Sequence, residues 1–531
     1  MRTSPTFLAL LLASAAVPAM PANAQDSANG ERIKALEEQV QDLSNQVQDL
    51  KRSTSDQYTD IQNQQSQAVK VGIVNGRPTI ASADGDFSLA LRTLVQFDTA
   101  YYMQSASAKS LPSGDLSSGS NFRRVYLGIQ GKLFGDWSYY VNFDFGGSGG
   151  TETPGHIQSA YLEYDGLAPL AFRAGAFPPP SNLEDGTSSG DTIFLERNSP
   201  SNLQRNLAGG DGREAISILY AGDRLFAAVS LSGGKVQDTP VFDEQQAVVG
   251  RVSYLLWSSE DAHFLIGANG THIFKLPDAL ANGVANQANT PGAAALNSIT
   301  LSDAPELTVD SGGMKLVSTG ALSAKHLTQW GVETAGNLSS LYAQAGYYSF
   351  QVDRAATAFT TFTAPTTSAT TIVQPSNNSF DAWYVQASWF LTGESRAYNP
   401  ATGAFTPPKP ADPFHLTKGG WGAWELAARY SDLNLNSHVY DPANVITGWT
   451  PTSQTYSFYN TVRGGDQRIV TAGVNWYPNN AVRFALDYQW IDVNRLKSPA
   501  DVTISAGTPT LPAASGGQNL QTIAFRVQFG F

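Results

Sequence analysis

The sequence has no cysteine and little charge. Charged residues make up 15% of the 531 positions, against about 25% in a typical soluble domain. The absence of cysteine excludes a disulfide framework, a thiolate metal site and cysteine catalysis. The formal net charge of −12 argues against a nucleic-acid partner, which would need a basic face.

Recognisable catalytic patterns are also missing. The six histidines are scattered, and none lies in an H-E-x-x-H motif or a Ser-His setting. The sequence therefore predicts neither an enzyme nor a cofactor or metal site.

The only long apolar run is at the N-terminus. Arg2 precedes the apolar residues 7–17, and Ala22-Asn23-Ala24 follows as an A-x-A cleavage site. This pattern predicts a secretory signal peptide over 1–24. No later run reaches the roughly 18 apolar residues of a membrane-spanning helix, so helices are not expected to span a membrane in the mature protein.

A short heptad pattern follows within residues 25–67. Its apolar residues alternate at spacings of three and four: Ile33, Leu36, Val40, Leu43, Val47 and Leu50. Two interpretations stay open, a solitary amphipathic helix or an oligomerising coiled-coil stalk with a polar linker. Ile or Val at a and Leu at d favour dimers in isolated peptides, but a seam this short does not settle the number of chains.

From residue 87 onwards apolar and polar residues alternate. In 482–490, for example, Val482, Phe484 and Leu486 alternate with Arg483 and Asp487. Alternation over about ten residues is typical of a transmembrane β-barrel with its apolar face outward. The signal peptide, the low charge and the aromatic C-terminus favour this over a soluble sandwich. We therefore predict an all-β transmembrane barrel of sixteen antiparallel strands over 68–531.

The predicted strands lie near 87–102, 121–134, 137–146, 156–165, 168–177, 213–221, 223–232, 247–258, 262–274, 327–335, 338–352, 379–391, 421–434, 466–477, 481–495 and 519–531. Long and short joints alternate between them, as expected for outer loops and periplasmic turns. The joint 392–420 is the exception, being long on the short-turn side. The joint 178–212 is too long for an ordinary connection, and we predict that it folds into the lumen as a constriction loop.

Four motifs carry a family resemblance. They are Phe122-Arg123-Arg124-Val125-Tyr126-Leu127-Gly128, Phe194-Leu195-Glu196-Arg197-Asn198, Leu391-Thr392-Gly393-Glu394-Ser395-Arg396 and Gly473-Val474-Asn475-Trp476-Tyr477-Pro478. Together they resemble the phosphate-selective porin O and P family of Gram-negative outer membranes. The resemblance implies a trimer of sixteen-stranded barrels, each with its own pore, and an insertion similar to 392–420.

An anion pore needs fixed positive charge where it is narrow, and the planar fork of arginine suits phosphate. The resemblance places Arg92, Arg123 and Arg124 at the constriction. Strand parity turns Arg92 and Arg124 inward, but it turns Arg123 outward unless a bulge re-aims it. Two further candidates, Arg173 and Arg251, also have inward parity. Arg197, in the predicted constriction loop, faces the pore or clamps the loop to the wall.

For each inward arginine the alternative is a structural ion pair with an inward carboxylate. The predicted function is an outer-membrane porin for passive diffusion of small anions, with phosphate or polyphosphate as the suspected solute. The alternatives are a general non-selective porin, or a structural tether between outer membrane and cell wall through the coiled coil. The predicted partners are small inorganic anions, outer-membrane lipid, two further copies in a homotrimer and the cell wall.

Overall fold

The chain is described by a computed structural model over residues 22–67, 69–105, 114–147, 155–238, 244–277, 280–281, 284–285, 297–364, 367–450, 452–496, 502–504 and 516–531. It divides into two compact units, Met1–Val69 and Lys70–Phe531. Residues 1–21 of the predicted signal peptide lie outside the described residues.

The first unit is one helix, α1 (Ala22–Gln67). The six apolar residues of the predicted seam are 57–68% exposed among the residues that the structure describes. Pairing of the seam with other copies stays a prediction. In the described parts of the chain, no helix is long and apolar enough to cross a membrane.

The second unit is a closed antiparallel barrel, and the prediction of sixteen strands is confirmed. The strands are β1 (Ser88–Met103), β2 (Gly119–Leu133), β3 (Trp137–Asp144), β4 (His156–Leu167), β5 (Leu170–Ala176), β6 (Arg213–Ala221), β7 (Leu225–Lys235), β8 (Gln246–Ser258), β9 (Ala262–Lys275), β10 (Leu322–Leu338), β11 (Leu341–Arg354), β12 (Asn378–Phe390), β13 (Ala423–Ser437), β14 (Val462–Tyr477), β15 (Val482–Asn494) and β16 (Gln518–Gly530).

Closure follows from pairing of the first and last strands. β1 lies antiparallel to β16, with Asp98 opposite Arg526. A hairpin of strands Lys70–Val74 and Arg77–Ala81 precedes β1 and extends its short-turn end, where Thr79 lies opposite Ala90. The hairpin turns at Asn75-Gly76, and both residues have positive φ as a two-residue hairpin turn requires.

The remaining elements are short. They are the helix α2 (Ser199–Ala208) and the strands Leu280–Ala281, Val284–Ala285, Ser298–Ile299, Ser302–Asp303, Val317–Ser318, Thr357–Ala364, Thr367–Val373, Ala397–Asn399, Ala404–Thr406, Val445–Trp449, Gln454–Ser457 and Val502–Ile504.

The two faces of the barrel differ as the alternation predicts. On β15, Leu486 and Trp490 point outward and are 41% and 46% exposed, whereas Asp487 and Gln489 point inward and are almost fully buried. Water in the lumen alone would leave those polar residues exposed. Their burial indicates that protein fills this side of the lumen.

Three segments fill it. The joint 177–212 enters from the long-loop side, and the carbonyls of Thr192 and Ile193 accept bonds from Arg483 on β15. Residues 297–321 pack above α2, where Ser199 N donates to Glu306 at 2.8 Å. From the opposite side, part of the joint 391–422 folds inward and buries Phe405 against the first insert. The sequence predicted a long insertion at 392–420 but not that it folds inward, and it offered no prediction for residues 297–321.

Candidate functional site

The helix α2 positions the constriction loop. Its N-cap is Asn198, whose side chain accepts a bond from Ser201 N at 2.8 Å, and Pro200 sits in the first turn, where a missing N–H costs nothing. The segment before it is tied to the far wall, since Leu183 N donates to Glu333 and Leu195 N to Asp487, both at 2.9 Å. The loop therefore leans on β10–β16, and it also reaches β1 and β2, where Gln96 donates to Ser189 O and Arg123 binds Glu196.

The open part of the lumen consequently lies along β1–β5. Inward side chains there keep partial exposure, among them Arg92, Tyr140 and Arg173. On the covered side, inward charged groups such as Arg251 and Glu333 have no exposed side-chain surface. The partly exposed residues lie near the short-turn ends of these strands; towards the long loops the same wall is covered, since Gln96, Asp98 and Asn142 are at most 1% exposed.

A β-bulge re-aims Arg123. Gln96 on β1 lies opposite Arg124, but the next residue, Phe97, lies opposite Phe122, so Arg123 is the extra residue. Its side chain is buried and binds Glu196 of the constriction loop, with Nε 2.7 Å from Oε1. Strict alternation had pointed it outward, and a local insertion of one residue in the ladder is the physical reason for the difference.

Three arginines surround Glu196. Arg123 binds it, Arg526 Nη2 lies 3.1 Å from Oε1, and Arg124 Nη1 lies 3.6 Å away. Arg526 also binds Asp98 through two bonds of 2.6 Å. Three guanidinium groups therefore face two carboxylates, which leaves one net positive charge. Arg124 is the member with the weakest carboxylate contact, and its nearest bond is to the neutral Gln96 at 2.9 Å.

Arg123, Arg124 and Glu196 of this cluster line a cavity of about 720 Å³ on the long-loop side. The charged lining residues comprise six basic and five acidic groups: Arg123, Arg124, Arg197, Arg205, Lys235 and Lys315, with Glu196, Asp211, Asp238, Asp303 and Glu306. The cavity is large enough for a hydrated small ion, and its lining carries a slight positive excess.

Among the acids of this lining, Asp303 has a pKa raised towards neutrality. Asp303 in the second insert is buried and accepts a bond from Asn202 of α2 at 2.6 Å. Burial raises the pKa of Asp303 to about 7, with Glu306 adding to the shift and Lys315 opposing it. The contact between the second insert and α2 therefore depends on a carboxyl group that titrates near neutrality.

We expect this insert to be held more firmly in acid. Because the pKa of Asp303 is higher in the folded than in the unfolded state, its stabilising contribution is complete below about pH 4 and is lost as the pH rises through about 7. At pH 8, backbone hydrogen exchange of residues 299–318 should accordingly be faster in the unchanged protein than in the Asp303→Asn variant. At pH 5 the exchange rates of the two proteins should agree. Equal protection of both proteins at pH 8 would contradict the prediction.

A second group of positive charge lies nearer the short-turn end. Arg92 donates to Gln130 at 3.2 Å and lies over the Tyr140 ring at 5.3 Å. Arg77 of the N-terminal hairpin has a buried Nε with no hydrogen-bond partner. Burial and the neighbouring charge of Arg92 lower the pKa of Arg77. Neither guanidinium has a described carboxylate within 4.0 Å, although the buried Asp191 acts on both from a greater distance.

Arg77 was missed by the sequence analysis because it precedes the first predicted strand. The signal that could have found it is the Asn75-Gly76 turn, which predicts a hairpin running alongside β1. We name Arg77 and Arg92 the lower pair. It is separated from Arg124 by about four residues of ladder, or roughly 13 Å.

Three other candidates are occupied by neighbours. Arg173 binds Glu163 at 2.7 Å, in a partly exposed pair. Arg251 binds Glu333 at 2.6 Å and two carbonyls of the joint 391–422. Arg197 donates to the carbonyls of Glu184 and Thr187 within the constriction loop, at 3.2 and 3.1 Å. Arg173 and Arg251 thus form ion pairs with inward carboxylates, whereas Arg197 is held within the constriction loop itself.

Residues that could hold a metal are not brought together. Within the described ranges, no three His, Asp or Glu side chains are arranged as ligands. The charged groups of the lumen are instead arranged as arginines that face carboxylates, carbonyls and the open path.

Comparison with known proteins gives a consistent assignment. The phosphate-selective porin O and P family model matches residues 110–508. Porin O of Pseudomonas aeruginosa is 25% identical over 433 residues, which cover 77% of this chain and 84% of that protein. Among solved structures, an anion-selective porin from Comamonas acidovorans is 12% identical, with 84% of this chain and 100% of that chain covered and a TM-score of 0.42.

OmpT, an outer-membrane protein of Vibrio cholerae, is 11% identical over 84% of this chain and 98% of its own, also with a TM-score of 0.42. Both structural similarities are remote and add nothing to the assignment. The family model, by contrast, spans well over half of the sequence. With its closed barrel of sixteen strands, the chain belongs to the phosphate-selective porin O and P family.

Proposed function

We propose that this porin passes small anions, with phosphate bound transiently between the Glu196 cluster and the lower pair. The family and the barrel support an outer-membrane channel. The preference of this channel for anions over cations is what we propose beyond that. The observation that carries it is that the lower pair, without a described carboxylate within 4.0 Å, lies beside the partly exposed wall of β1–β5, below a cluster of three arginines and two carboxylates.

Electrostatics favour an anion at these positions. A unit charge about 5 Å from an uncompensated guanidinium gains about 1 kcal/mol in water and about 3 kcal/mol at the effective dielectric of a protein surface. A cation loses the same amount. The wall carries Arg124, Arg92 and Arg77 one after another from the long-loop side towards the short-turn end. An anion that leaves one site therefore approaches the next. Binding at each site stays weak enough for release, as conduction requires.

Phosphate is the favoured solute because arginine offers two parallel donors. At Arg124, one guanidinium nitrogen is taken by Gln96. At Arg92, one is taken by Gln130. The remaining N–H groups are available to the oxygens of an oxyanion, which chloride cannot match with two contacts.

A general diffusion pore remains the second candidate. Most inward arginines are neutralised, including Arg173, Arg251 and Arg526. Glu196 also brings negative charge into the cluster of Arg123, Arg124 and Arg526. If these pairs dominate the field in the lumen, the channel discriminates little between chloride and potassium.

We also propose export by the predicted signal peptide and assembly as a homotrimer. The exposed seam of α1 supports assembly, since an apolar stripe from Ile33 to Leu50 is stabilised by packing against other copies. The same helix could reach the cell wall, which gives it the tethering role as an additional proposal.

Single-channel recording in a planar bilayer tests the function. In a KCl gradient we expect the reversal potential to lie close to the equilibrium potential of chloride. Low concentrations of phosphate should block the current. Arg92→Gln and Arg124→Gln should each weaken the block about tenfold, since each removes roughly 1–3 kcal/mol of attraction. Arg124→Lys keeps the charge but loses the fork, so chloride preference should persist while phosphate block weakens.

Arg468→Gln is the control, because Arg468 lies on the outer face and is half exposed. One insertion that closes in three equal steps would support the trimer. A large conductance without anion preference would refute the arginine argument and leave the general pore. Absence of conductance from folded protein would favour the tether.

A further inference from the structure

The joint between β12 and β13 divides into two parts with opposite surroundings. In the first part Glu394, Arg396 and residues 403–405 are buried. Beyond them the chain emerges at the short-turn rim, and residues 411–419 are all exposed. Phe414 N donates to Pro478 O at 2.8 Å, which fixes this second part against the turn after β14.

This outer part carries large apolar side chains into solvent. Leu416 is 88% exposed and Trp421 is 76% exposed, values that place them among the most exposed apolar residues of the barrel unit. Phe414 contacts the Trp476 ring edge-on at 5.2 Å. A soluble loop gains nothing from such exposure, so these side chains point to an apolar environment.

The neighbouring barrel surface is a row of stacked rings. Trp424 and Trp476 stack at 5.5 Å, Trp476 and Phe484 at 5.3 Å, and Phe484 and Phe525 at 6.3 Å. All four point outward near the short-turn ends of β13–β16. We name them the aromatic belt. Such belts mark the level of the lipid headgroups.

The loop is tied to this belt through its backbone. The carbonyl of Trp421 accepts bonds from both indole N–H groups of the belt, at 3.2 Å from Trp424 and 2.8 Å from Trp476. Gly420 has φ +99°, and a Cβ there would lie 2.2 Å from the carbonyl oxygen of Pro413. Only glycine therefore permits the turn that holds the Trp421 carbonyl on the belt and leaves its ring free.

We infer that residues 411–421 are a membrane anchor that inserts Leu416 and Trp421 into the phospholipid headgroup region beside the aromatic belt. The occupant is lipid because the exposed rings continue a lipid-facing surface. Lys418 lies between the two apolar side chains and is exposed, so its ammonium can pair with a lipid phosphate while they insert. The inference rests on the barrel lying in the membrane and not on the selectivity of its pore.

The absence of cysteine allows a direct test. Leu416→Cys gives a single thiol for an environment-sensitive nitrobenzoxadiazole label, and Asn480→Cys in the turn 478–481 gives a matched exposed control. Both proteins are reconstituted into phosphatidylethanolamine–phosphatidylglycerol vesicles. We expect nitroxide lipids to quench the label at 416 several-fold more than the label at 480, and iodide on both sides of the membrane to quench it several-fold less.

Adding Trp421→Ser to the labelled protein should reduce the quenching by nitroxide lipids. Equal quenching of the two labels by iodide would overturn the inference, because it would place Leu416 in water. Shielding from both quenchers would overturn it as well, since a protein surface would then cover the loop. Neither result depends on ion selectivity, which the bilayer recordings measure separately.

Discussion

Glu196→Gln should increase anion selectivity, the opposite of what removing an arginine does. The carboxylate lies within 4 Å of Arg123, Arg124 and Arg526. Its removal raises the net charge of the cluster by one. We expect phosphate block to strengthen by roughly 5- to 100-fold, which corresponds to about 1–3 kcal/mol. The reversal potential should move further towards that of chloride.

The glutamine keeps the shape and the hydrogen-bonding oxygen, so the loop should stay in place. Although burial opposes ionisation, the three guanidinium groups hold the pKa of Glu196 well below its usual range. The difference between the two proteins should therefore be the same from pH 5 to pH 8. Asp432→Asn on the outer surface is the matched control. A variant with unchanged or weaker anion preference would show that the Glu196 cluster does not face the solute.

Arg251→Met should enlarge and destabilise the pore. Arg251 donates to Glu333 at 2.6 Å and to the carbonyls of Thr402 and Gly403 at 2.7 and 2.8 Å. Glu333 in turn accepts from Leu183 N of the constriction loop. One buried ion pair thus ties two of the three inserts to the wall. Leaving Glu333 buried and unpaired costs about 3–5 kcal/mol.

We expect the single-channel conductance of Arg251→Met to be higher and noisier than that of the unchanged protein. In gel electrophoresis after heating, the variant should convert from the folded to the unfolded band at a lower temperature. Arg251→Met combined with Glu333→Gln removes the unpaired charge and should recover much of the lost stability. Arg173→Gln is the comparison, because its pair with Glu163 is partly exposed and should matter less. Unchanged conductance and stability in Arg251→Met would refute the clamp.

The barrel itself was predictable because its signal is local. A residue two positions away lies on the same face of a strand, so alternation along β15 or β16 reveals both a strand and its two faces. Strand count, order and the asymmetry of the joints follow from this pattern together with closure, and the structure agrees for all sixteen strands. The four motifs added the family, which the family model confirms.

The state of each inward arginine was decided by tertiary structure. Parity gave Arg251 and Arg124 the same expectation, yet Arg251 is sealed by Glu333 and the joint 391–422, while Arg124 keeps a neutral partner. The sealing groups lie 82 and about 150 residues away in sequence. No local pattern records which of two distant segments will reach a given position on the wall.

The orientation of Arg123 and the position of Arg77 also depend on tertiary structure. One extra residue in the β2 ladder reverses the direction of Arg123, and a hairpin outside the sixteen strands brings Arg77 beside Arg92. The sequence by itself determined the barrel, its faces and its family, because those depend on neighbours along one strand. Tertiary structure alone decided which charges stay uncompensated, because that depends on where three inserts pack inside the lumen.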